Sequence, residues 1–131
     1  MNTVKIDLCG LPDELRSGLE KLCMHEGFRS GTDGIRLSAR RGGAFSAEFD
    51  GQTLRVEYCE PVQFFRALSY LKRADHRRFA LHRQPVFEHN GVMLDCSRNA
   101  VPRVEAVKMV LRKMALMGLN TLMLYTDCLL Y

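Results

Sequence analysis

The chain has 131 residues, of which 47% are hydrophobic and 26% charged, and its formal net charge is +4. This length allows one ordinary domain, or a small domain plus part of another, and excludes two full-size domains. No stretch approaches the roughly 18 consecutive apolar residues of a membrane span, so the composition predicts a soluble globular protein without a membrane partner. The first twenty residues carry charges throughout and show no export signal, which predicts a cytoplasmic location.

The five cysteines and four histidines do not form a recognisable ligand set. The cysteines are odd in number and contain no C-x-x-C pair, so neither a disulfide framework nor a structural zinc site is expected. No two histidines stand three or four residues apart, as a helical metal pair requires. The sequence therefore predicts free thiols, no metal and no cofactor.

The first half of the chain changes between strand and helix patterns. Thr3 to Leu8 alternates apolar and polar residues as a half-buried strand does. Pro12 to Glu26 carries an apolar stripe at helical spacing, with proline suited to the first turn. After a turn at Gly31 to Gly34, strand alternation returns in Ile35 to Ala39 and in Phe45 to Phe49.

The dipeptide Asp50-Gly51 predicts a hairpin, because a two-residue type I′ turn favours these residues at its two central positions. This turn would place large apolar residues of both strands on one face. The predicted pairs are Phe49 with Gln52, Ala47 with Leu54, and Phe45 with Val56.

A second helix is predicted from Glu60-Pro61, with an apolar face that runs from Phe64 to Leu71. Residues 1 to about 75 therefore predict the order β-α-β-β-β-α, which is a sheet at least partly antiparallel with two helices on one face. We assign residues 1–83 to this N-terminal α/β domain.

The densest basic stretch is Lys72 to Arg78. Its first cations fall in the last turn of the predicted helix, where positive charge favours the helix dipole. No interleaved aromatic residues or basic recognition helix accompany them, so a solvated helix end is the favoured interpretation and a nucleic-acid patch the alternative.

The second half of the chain has a different pattern. Phe79 to Phe87 is extended and interrupted by a proline, and Val92-Met93-Leu94 is a continuous apolar run, typical of a strand buried on both faces. A helix from Pro102 to Gly118 and a second apolar strand, Thr121 to Tyr125, follow. Strand, helix and strand predict one right-handed parallel βαβ unit.

One βαβ unit cannot bury both of its strands, so this half resembles the beginning of a larger α/β structure. The predicted fold class is α+β: a small N-terminal sheet with two helices on one face, followed over residues 84–131 by an incomplete (β/α)8-barrel start. Functional groups of such folds gather at the carboxyl ends of parallel strands. Asp95 to Arg98 and Thr126-Asp127 stand at these ends.

Two segments carry a resemblance to a known family. Phe87 to Asn99, followed after the helix by Ala115 to Asp127, resembles the opening of a family 20 glycoside hydrolase barrel, the fold of β-N-acetylhexosaminidases. The first strand of that family typically reads R-G-x-x-x-D-x-S-R, and the second begins with an M-A-x-x-x-x-N-x-L-like run. The family also usually carries a small α/β domain ahead of its barrel, which is similar in architecture to residues 1 to about 80.

The resemblance implies removal of terminal N-acetylhexosamine from glycans by substrate assistance. The sugar's own N-acetyl carbonyl attacks the anomeric carbon, an Asp orients it, and a Glu protonates the leaving oxygen. That Asp-Glu pair belongs to the fourth barrel strand, and this sequence ends just after the second. The single Asp-Glu dipeptide, Asp13-Glu14, is interpreted as two carboxylates at a helix N-terminus. No catalytic residue is therefore expected in this chain, and the chain alone is expected to be inactive.

The resemblance also implies three substrate-binding positions: Asn90, Asp95 and Arg98. Asp95 and Arg98 match the family motif and either support the sugar pocket or form an ion pair that closes the strand end. Asn90 replaces an arginine that grips sugar hydroxyls, and asparagine has neither its reach nor its charge. Either the sugar binds differently here or the site is weakened.

A barrel of this type needs about 250 residues, and Gln84 to Tyr131 supply 48. We hypothesise a natural truncation, a frame-shifted end or an excised piece of a longer protein. Alternatives are an interaction module that forms a homo-oligomer through open strand edges and the apolar tail Leu129 to Tyr131, a weak nucleic-acid binder that uses Lys72 to Arg78, and, last, a redox enzyme that uses Cys96.

Overall fold

The computed structural model describes residues 3–97 and 101–126. These residues form a six-stranded sheet, here the first sheet, and a two-stranded sheet, here the second sheet. Three helices accompany the two sheets. In chain order the elements are β1 Val4–Asp7, α1 Asp13–His25, β2 Phe28–Ser30, β3 Ile35–Arg41, β4 Phe45–Phe49, β5 Thr53–Tyr58, α2 Pro61–Ala74, β6 Phe79–Arg83, β7 Gly91–Asp95, α3 Val104–Met117 and β8 Thr121–Tyr125.

The first sheet is mixed, with the strand order β2-β1-β3-β5-β4-β6. Strands β2, β1, β3 and β5 run parallel to one another, and β4 is antiparallel to both β5 and β6. Helices α1 and α2 bury their apolar stripes against one face of this sheet, in a single core that contains Leu19, Leu68 and Val56. The predicted α+β architecture, a sheet with two helices on one face, is confirmed.

Strand alternation explains why only one face is covered. In β4 and β5 the buried residues occur at every second position, and the residues between them are polar. On the uncovered face, Arg40 forms an ion pair with Glu57, and Arg55 forms one with Asp50. This face therefore stays compatible with water while the opposite face forms the core.

Two strands extend the sheet beyond the predicted set. Phe28–Ser30, for which the sequence predicted no strand, forms the short strand β2, which is parallel to β1. The predicted turn at Gly31 to Gly34 follows it, with a hydrogen bond from the Gly34 N–H to the Gly31 carbonyl at 3.0 Å. Phe79–Arg83, expected only as extended chain, is β6 and pairs with β4. A three-residue strand with one buried side chain gives no detectable alternation, which is why the sequence did not reveal β2.

The hairpin between β4 and β5 has a different register from the predicted one. Phe49 pairs with Leu54 and Ala47 with Val56, so the loop is two residues longer than expected. A two-residue type I′ loop needs positive φ at both central positions, and of the two predicted central residues only Gly51 has it, with φ +102°. Because strands alternate with a period of two, this even shift leaves the same apolar residues buried.

Asp50 stabilises the longer turn. Its Oδ1 accepts hydrogen bonds from the backbone N–H groups of Gln52 at 2.9 Å and Thr53 at 2.8 Å, and its Oδ2 lies 2.8 Å from Nη1 of Arg55. A carboxylate that accepts backbone N–H groups two and three residues ahead replaces hydrogen bonds that a tighter turn would make within the backbone. These interactions, with the bonds from Thr53 and Gln52 first, lower the pKa of Asp50 from 3.8 to about 2.

The second sheet confirms the predicted βαβ unit. Strands β7 and β8 are parallel and pair in register from Gly91 with Thr121 to Asp95 with Tyr125, and α3 joins them. Gly91 is required at its position because a Cβ atom there would collide with the backbone oxygen of Thr121. The first strand motif therefore contains at least one residue that sheet geometry selects.

Helix α3 connects the two sheets because it packs against α2, whose apolar face covers the first sheet. Met114 is the α3 residue that becomes fully buried in the part of the chain that the structure describes. The other large apolar side chains of this half stay uncovered, and every described exposed one except Met24 lies after residue 85. The βαβ unit is thus attached to the first sheet on one side and open on the other.

The low pKa of Asp50 makes the folding stability dependent on pH. A carboxyl group whose folded pKa is lower stabilises the fold above its unfolded pKa of 3.8, and this contribution is lost as pH falls through about 2. We expect Asp50→Asn to be less stable at neutral pH and to lose less stability between pH 4 and 2. Urea unfolding of both proteins across this range measures the difference.

The matched control is Arg55→Met, which leaves the two backbone hydrogen bonds to Asp50 in place. It should keep most of the pH dependence, since those bonds are the largest causes of the low pKa. Equal slopes for Asp50→Asn and the unmodified chain would contradict this account of the turn.

Candidate functional site

The candidate site lies at the carboxyl ends of β7 and β8, on the face of the second sheet that points away from α3. Leu122 lines a cavity together with Leu111 and Met114 of α3, so its side of the sheet faces the helix. Strand alternation therefore places Asp95 and Tyr125 on the opposite side. We call this side, with Met93, Asp95, Met123 and Tyr125, the open face.

The open face is largely apolar with one carboxylate at its end. The side chains of Met93, Met123 and Tyr125 are 63%, 57% and 48% exposed. Asp95 pairs in register with Tyr125, which places their Cα atoms about 4.8 Å apart on neighbouring strands. The Cys96 N–H donates to the Tyr125 carbonyl at 2.7 Å and extends the strand pairing past Asp95. The strands thus hold an aromatic ring and a carboxylate side by side.

Asp95 is oriented by the residue two positions ahead. Its Oδ1 accepts hydrogen bonds from both the hydroxyl and the backbone N–H of Ser97, the second at 2.8 Å. The hydroxyl bond, followed by the backbone bond, lowers the pKa of Asp95 below its ordinary value. Asp95 is therefore ionised at neutral pH, and its remaining acceptor positions can bind hydroxyl or amide donors.

The polar cluster predicted at the carboxyl ends of β7 and β8 lies only partly within the described residues. Arg98 and Asp127 lie outside the described residues, so the predicted ion pair between Asp95 and Arg98 stays a prediction. Ser97 was not among the predicted site residues. An Asp side chain commonly accepts a hydrogen bond from the backbone N–H two residues ahead, so the spacing of Asp95 and Ser97 could have indicated this contact. The Sγ atom of Cys96 is 3.9 Å from the Leu94 carbonyl and has no other described hydrogen bond.

Asn90 lies at the opposite end of the same strand. It precedes β7, five residues before Asp95, so the two Cα atoms are about 16 Å apart. Asn90 lines a cavity of about 590 Å³ together with Glu60, Arg66 and Glu88, between the first sheet and the amino ends of β7 and β8. The structure therefore does not bring together Asn90 and Asp95, which the resemblance placed in one sugar pocket.

The Asp13-Glu14 dipeptide lies in the first turn of α1, as the sequence indicated. Glu14 accepts a hydrogen bond from the hydroxyl of buried Tyr58 at 2.6 Å, and Arg41 lies 3.8 Å away. Burial and this hydrogen bond raise the pKa of Tyr58 to about 12. Glu14 thus connects α1 to the end of β5.

The first two cations of the basic stretch bind the protein itself. Lys72 Nζ donates to the carbonyl of Glu26 and lies 5.4 Å from the ring centroid of Phe28. The guanidinium of Arg73 lies 5.1 Å from the ring centroid of Tyr70 and donates to the Ser69 carbonyl. These contacts leave fewer cations of the stretch available to a phosphate backbone.

Within the described ranges, the chain has neither a metal-binding cluster nor a membrane-spanning helix. Residues 3–97 and 101–126 contain no group of three or more His, Cys, Asp or Glu side chains placed to hold a metal ion. The same residues contain no helix that is long and apolar enough to cross a membrane. Cys9, Cys23, Cys59 and Cys96 carry free thiols.

The class of protein that this chain resembles follows from its fold and its first barrel-like strand motif. No protein-family model and no curated protein sequence matches the chain. The chain nevertheless has the fold of a part of the family 20 glycoside hydrolases, and solved β-N-acetylhexosaminidases of that family match it along nearly its whole length. The resemblance predicted from the strand motif is confirmed at the level of the fold.

Three solved enzymes illustrate the match. An exo-β-N-acetylglucosaminidase from Vibrio harveyi, solved in complex with N-acetylglucosamine, aligns with 95% of this chain at 22% identity and a TM-score of 0.64. A β-N-acetylhexosaminidase from Streptomyces coelicolor A3(2) aligns with 95% of this chain at 16% identity and a TM-score of 0.61. A chitobiase from Flavobacterium johnsoniae aligns with 94% of this chain at 17% identity and a TM-score of 0.60. The chain spans 22%, 30% and 23% of these three enzymes.

The hydrogen bond from Ser97 to Asp95 gives a direct test of the site geometry. Ser97→Ala removes the hydroxyl donor, which is the largest cause of the low pKa of Asp95, and leaves the backbone donor. We expect the pKa of Asp95 to rise toward its ordinary value of 3.8. Carboxyl carbon chemical shifts followed against pH measure it.

Ser97→Thr keeps the hydroxyl and should keep the low pKa of Asp95. If Ser97→Ala and Ser97→Thr titrate alike, the hydroxyl does not orient the Asp95 carboxylate.

Proposed function

We propose that this chain is the N-terminal part of a glycoside hydrolase that removes terminal N-acetylhexosamine from glycans by substrate-assisted, retaining hydrolysis. In this proposal residues 1–83 are the N-terminal α/β domain and residues 84–131 are the first β-α-β of the catalytic barrel. The observation that carries the proposal is the placement of Asp95 at the carboxyl end of β7 in a βαβ unit with this fold.

Several features of the open face support a sugar as its ligand. Asp95 is ionised and exposed, and a carboxylate is the side chain that accepts two hydroxyl donors most strongly. The ring of Tyr125 offers a flat apolar surface beside it. The Vibrio harveyi enzyme, which shares this fold, was solved with N-acetylglucosamine. We therefore propose that Asp95 accepts hydrogen bonds from the sugar, with Tyr125 beneath it and Arg98 as a further contact.

The catalytic step needs a pair of carboxylates in addition to Asp95. In the proposed mechanism the sugar's N-acetyl carbonyl attacks the anomeric carbon while an Asp stabilises it and a Glu protonates the leaving oxygen. In the described part of the chain, the carboxyl ends of β7 and β8 supply Asp95 as their acidic group. We therefore propose that the longer enzyme provides the Asp-Glu pair and that this chain alone binds weakly and turns nothing over.

Asn90 is given no direct sugar contact in this proposal. It lies about 16 Å from Asp95 along the strand, and its short side chain spans only a small part of that distance. Position 90 therefore lies outside the sugar site proposed around Asp95.

The experiment uses the 131-residue chain with an aryl N-acetylglucosaminide and with N-acetylglucosamine. We expect no release of the aryl group, and backbone amide shifts at Asp95, Ser97 and Tyr125 on addition of millimolar sugar. Asp95→Asn should weaken binding about tenfold, the effect of losing a charge-assisted hydrogen bond.

The matched control is Asp33→Asn, which removes another exposed carboxylate whose pKa is lowered, in this case by its hydrogen bond to Lys5. It should leave sugar binding unchanged. Turnover by the pure chain that Asp95→Asn abolishes would contradict the expected inactivity. Sugar-induced shifts confined to the first sheet would overturn the proposed site.

A second candidate function is self-association through the second sheet. In the described residues β7 pairs with β8 alone, so one edge of each strand is unpaired. Neither strand contains lysine, arginine or proline, the residues that usually protect an exposed edge, and the open face is apolar. An antiparallel pairing of two copies along β8 would cover both features.

Light scattering over a hundredfold range of protein concentration tests this candidate. We expect the mass to rise with concentration, and Met123→Lys to return it to that of one chain, because a charge on the open face opposes close pairing. Met24→Lys, on a methionine of α1 that is also exposed, is the control and should not change the mass. A mass independent of concentration excludes self-association through this edge.

A further inference from the structure

The polar contacts that join the first sheet's helices to the βαβ unit are concentrated at one end of that unit. They involve the last turns of α3 and the residues just before β8, together with the amino end of β7. No described hydrogen bond or ion pair joins the first sheet to the carboxyl end of β7 or β8. The attachment is therefore asymmetric along the strands.

Glu26 is the first contact. Its carboxylate follows α1 and is only 3% exposed, and it lies 2.6 Å from Nζ of Lys113 and 3.6 Å from Nε of Arg112, both on α3. The Arg112 Nε atom is buried and has no hydrogen-bond partner among the described residues, so its ion pair with Glu26 compensates its charge. A buried cation without a counter-charge is unfavourable, so Glu26 specifies which part of α3 can pack here.

Asn120 is the second contact. Its Oδ1 accepts from the Asn90 N–H at 2.8 Å, and its Nδ2 donates to the Glu88 carbonyl at 2.7 Å and to Glu60 Oε2 at 3.2 Å. Glu60 is also the residue that caps α2 through its capping box with Gln63. One amide side chain thus joins the start of β8, the segment before β7 and the beginning of α2.

Arg66 of α2 adds a third contact at the end of α3. Its guanidinium donates to the Met117 carbonyl at 3.2 Å and stacks near the Tyr70 ring at 5.8 Å. A cation at a helix C-terminus is favoured by the unsatisfied carbonyls and the helix dipole. This contact supports the other two at the same end of the unit.

We infer that the N-terminal α/β part of the chain is an anchor for the amino ends of β7 and β8, with Glu26 and Asn120 as its two positioning residues. The anchor holds the strands where no chemistry is expected and leaves the carboxyl ends, with Asp95, free for a ligand. Asn90 belongs to this anchor through its main chain, which binds Asn120 on both its N–H and its carbonyl. The inference goes beyond the proposed sugar site and does not depend on it.

Hydrogen exchange of the whole chain tests the inference, because it reports each strand separately. Glu26→Gln and Asn120→Ala should each accelerate the exchange of the β7 and β8 amides about tenfold or more, since each removes charge-assisted or buried hydrogen bonds at the attachment. The amides of β3 and β5, in the centre of the first sheet, should keep their rates. Glu105→Gln removes an exposed ion pair with Lys108 on the same α3 helix and should change neither set.

Two outcomes would overturn the inference: equal acceleration in both sheets, which indicates general destabilisation, or unchanged rates in the second sheet. Lys113→Met supplies a second variant on the other side of the contact, and it should reproduce part of the effect of Glu26→Gln, because the ion pair between Glu26 and Arg112 remains. Its combination with Glu26→Gln should be less than additive, since both variants remove the ion pair between Glu26 and Lys113. Additive effects would show that the two residues act separately. Sugar binding at Asp95 is measured independently and has no part in these readouts.

Discussion

The arrangement of the two sheets depends on the ion pairs that the buried carboxylate of Glu26 forms with α3. Glu26 is only 3% exposed and forms ion pairs with Arg112 and Lys113 of α3. A shift of α3 that separated Glu26 from both cations would leave a buried carboxylate without a partner, which is unfavourable. The ion pairs therefore favour this position of α3, and with it the observed orientation of β7 and β8.

A consequence of this attachment is that the βαβ unit has two unlike ends. Its amino end is held by an amide and two charged side chains. Its carboxyl end carries an ionised aspartate beside a tyrosine and, among the described residues, makes no hydrogen bond or ion pair to the first sheet. In (β/α)8 barrels generally, the amino ends of the strands serve stability and the carboxyl ends carry the chemistry, and we propose the same division here. The open face between the two ends carries the exposed side chains of Met93, Met123 and Tyr125.

Much of the fold could be predicted because its signals are local. Three such signals are the apolar stripe of α1, the continuous apolar run Val92 to Leu94, and the glycine that ends α3. Each depends only on residues close in the chain, and all three elements are present. The hairpin register was wrong by two residues because the Asp50 side chain, rather than a type I′ backbone, closes the turn. Strand β2 gave no signal because three residues are too few to show alternation.

The sequence by itself determined the kinds of elements, the parallel βαβ unit, the placement of Asp95 at a strand end and the family that the strand motif resembles. Only the tertiary structure decided that Glu26 meets Lys113 across 87 residues, that Asn120 joins three segments, and that Asn90 and Asp95 lie at opposite ends of one strand. Hydrophobic periodicity and turn chemistry depend on residues that are close in the chain, so they can be predicted from the sequence. Pairing between distant polar groups depends on how the helices pack, which no local pattern encodes.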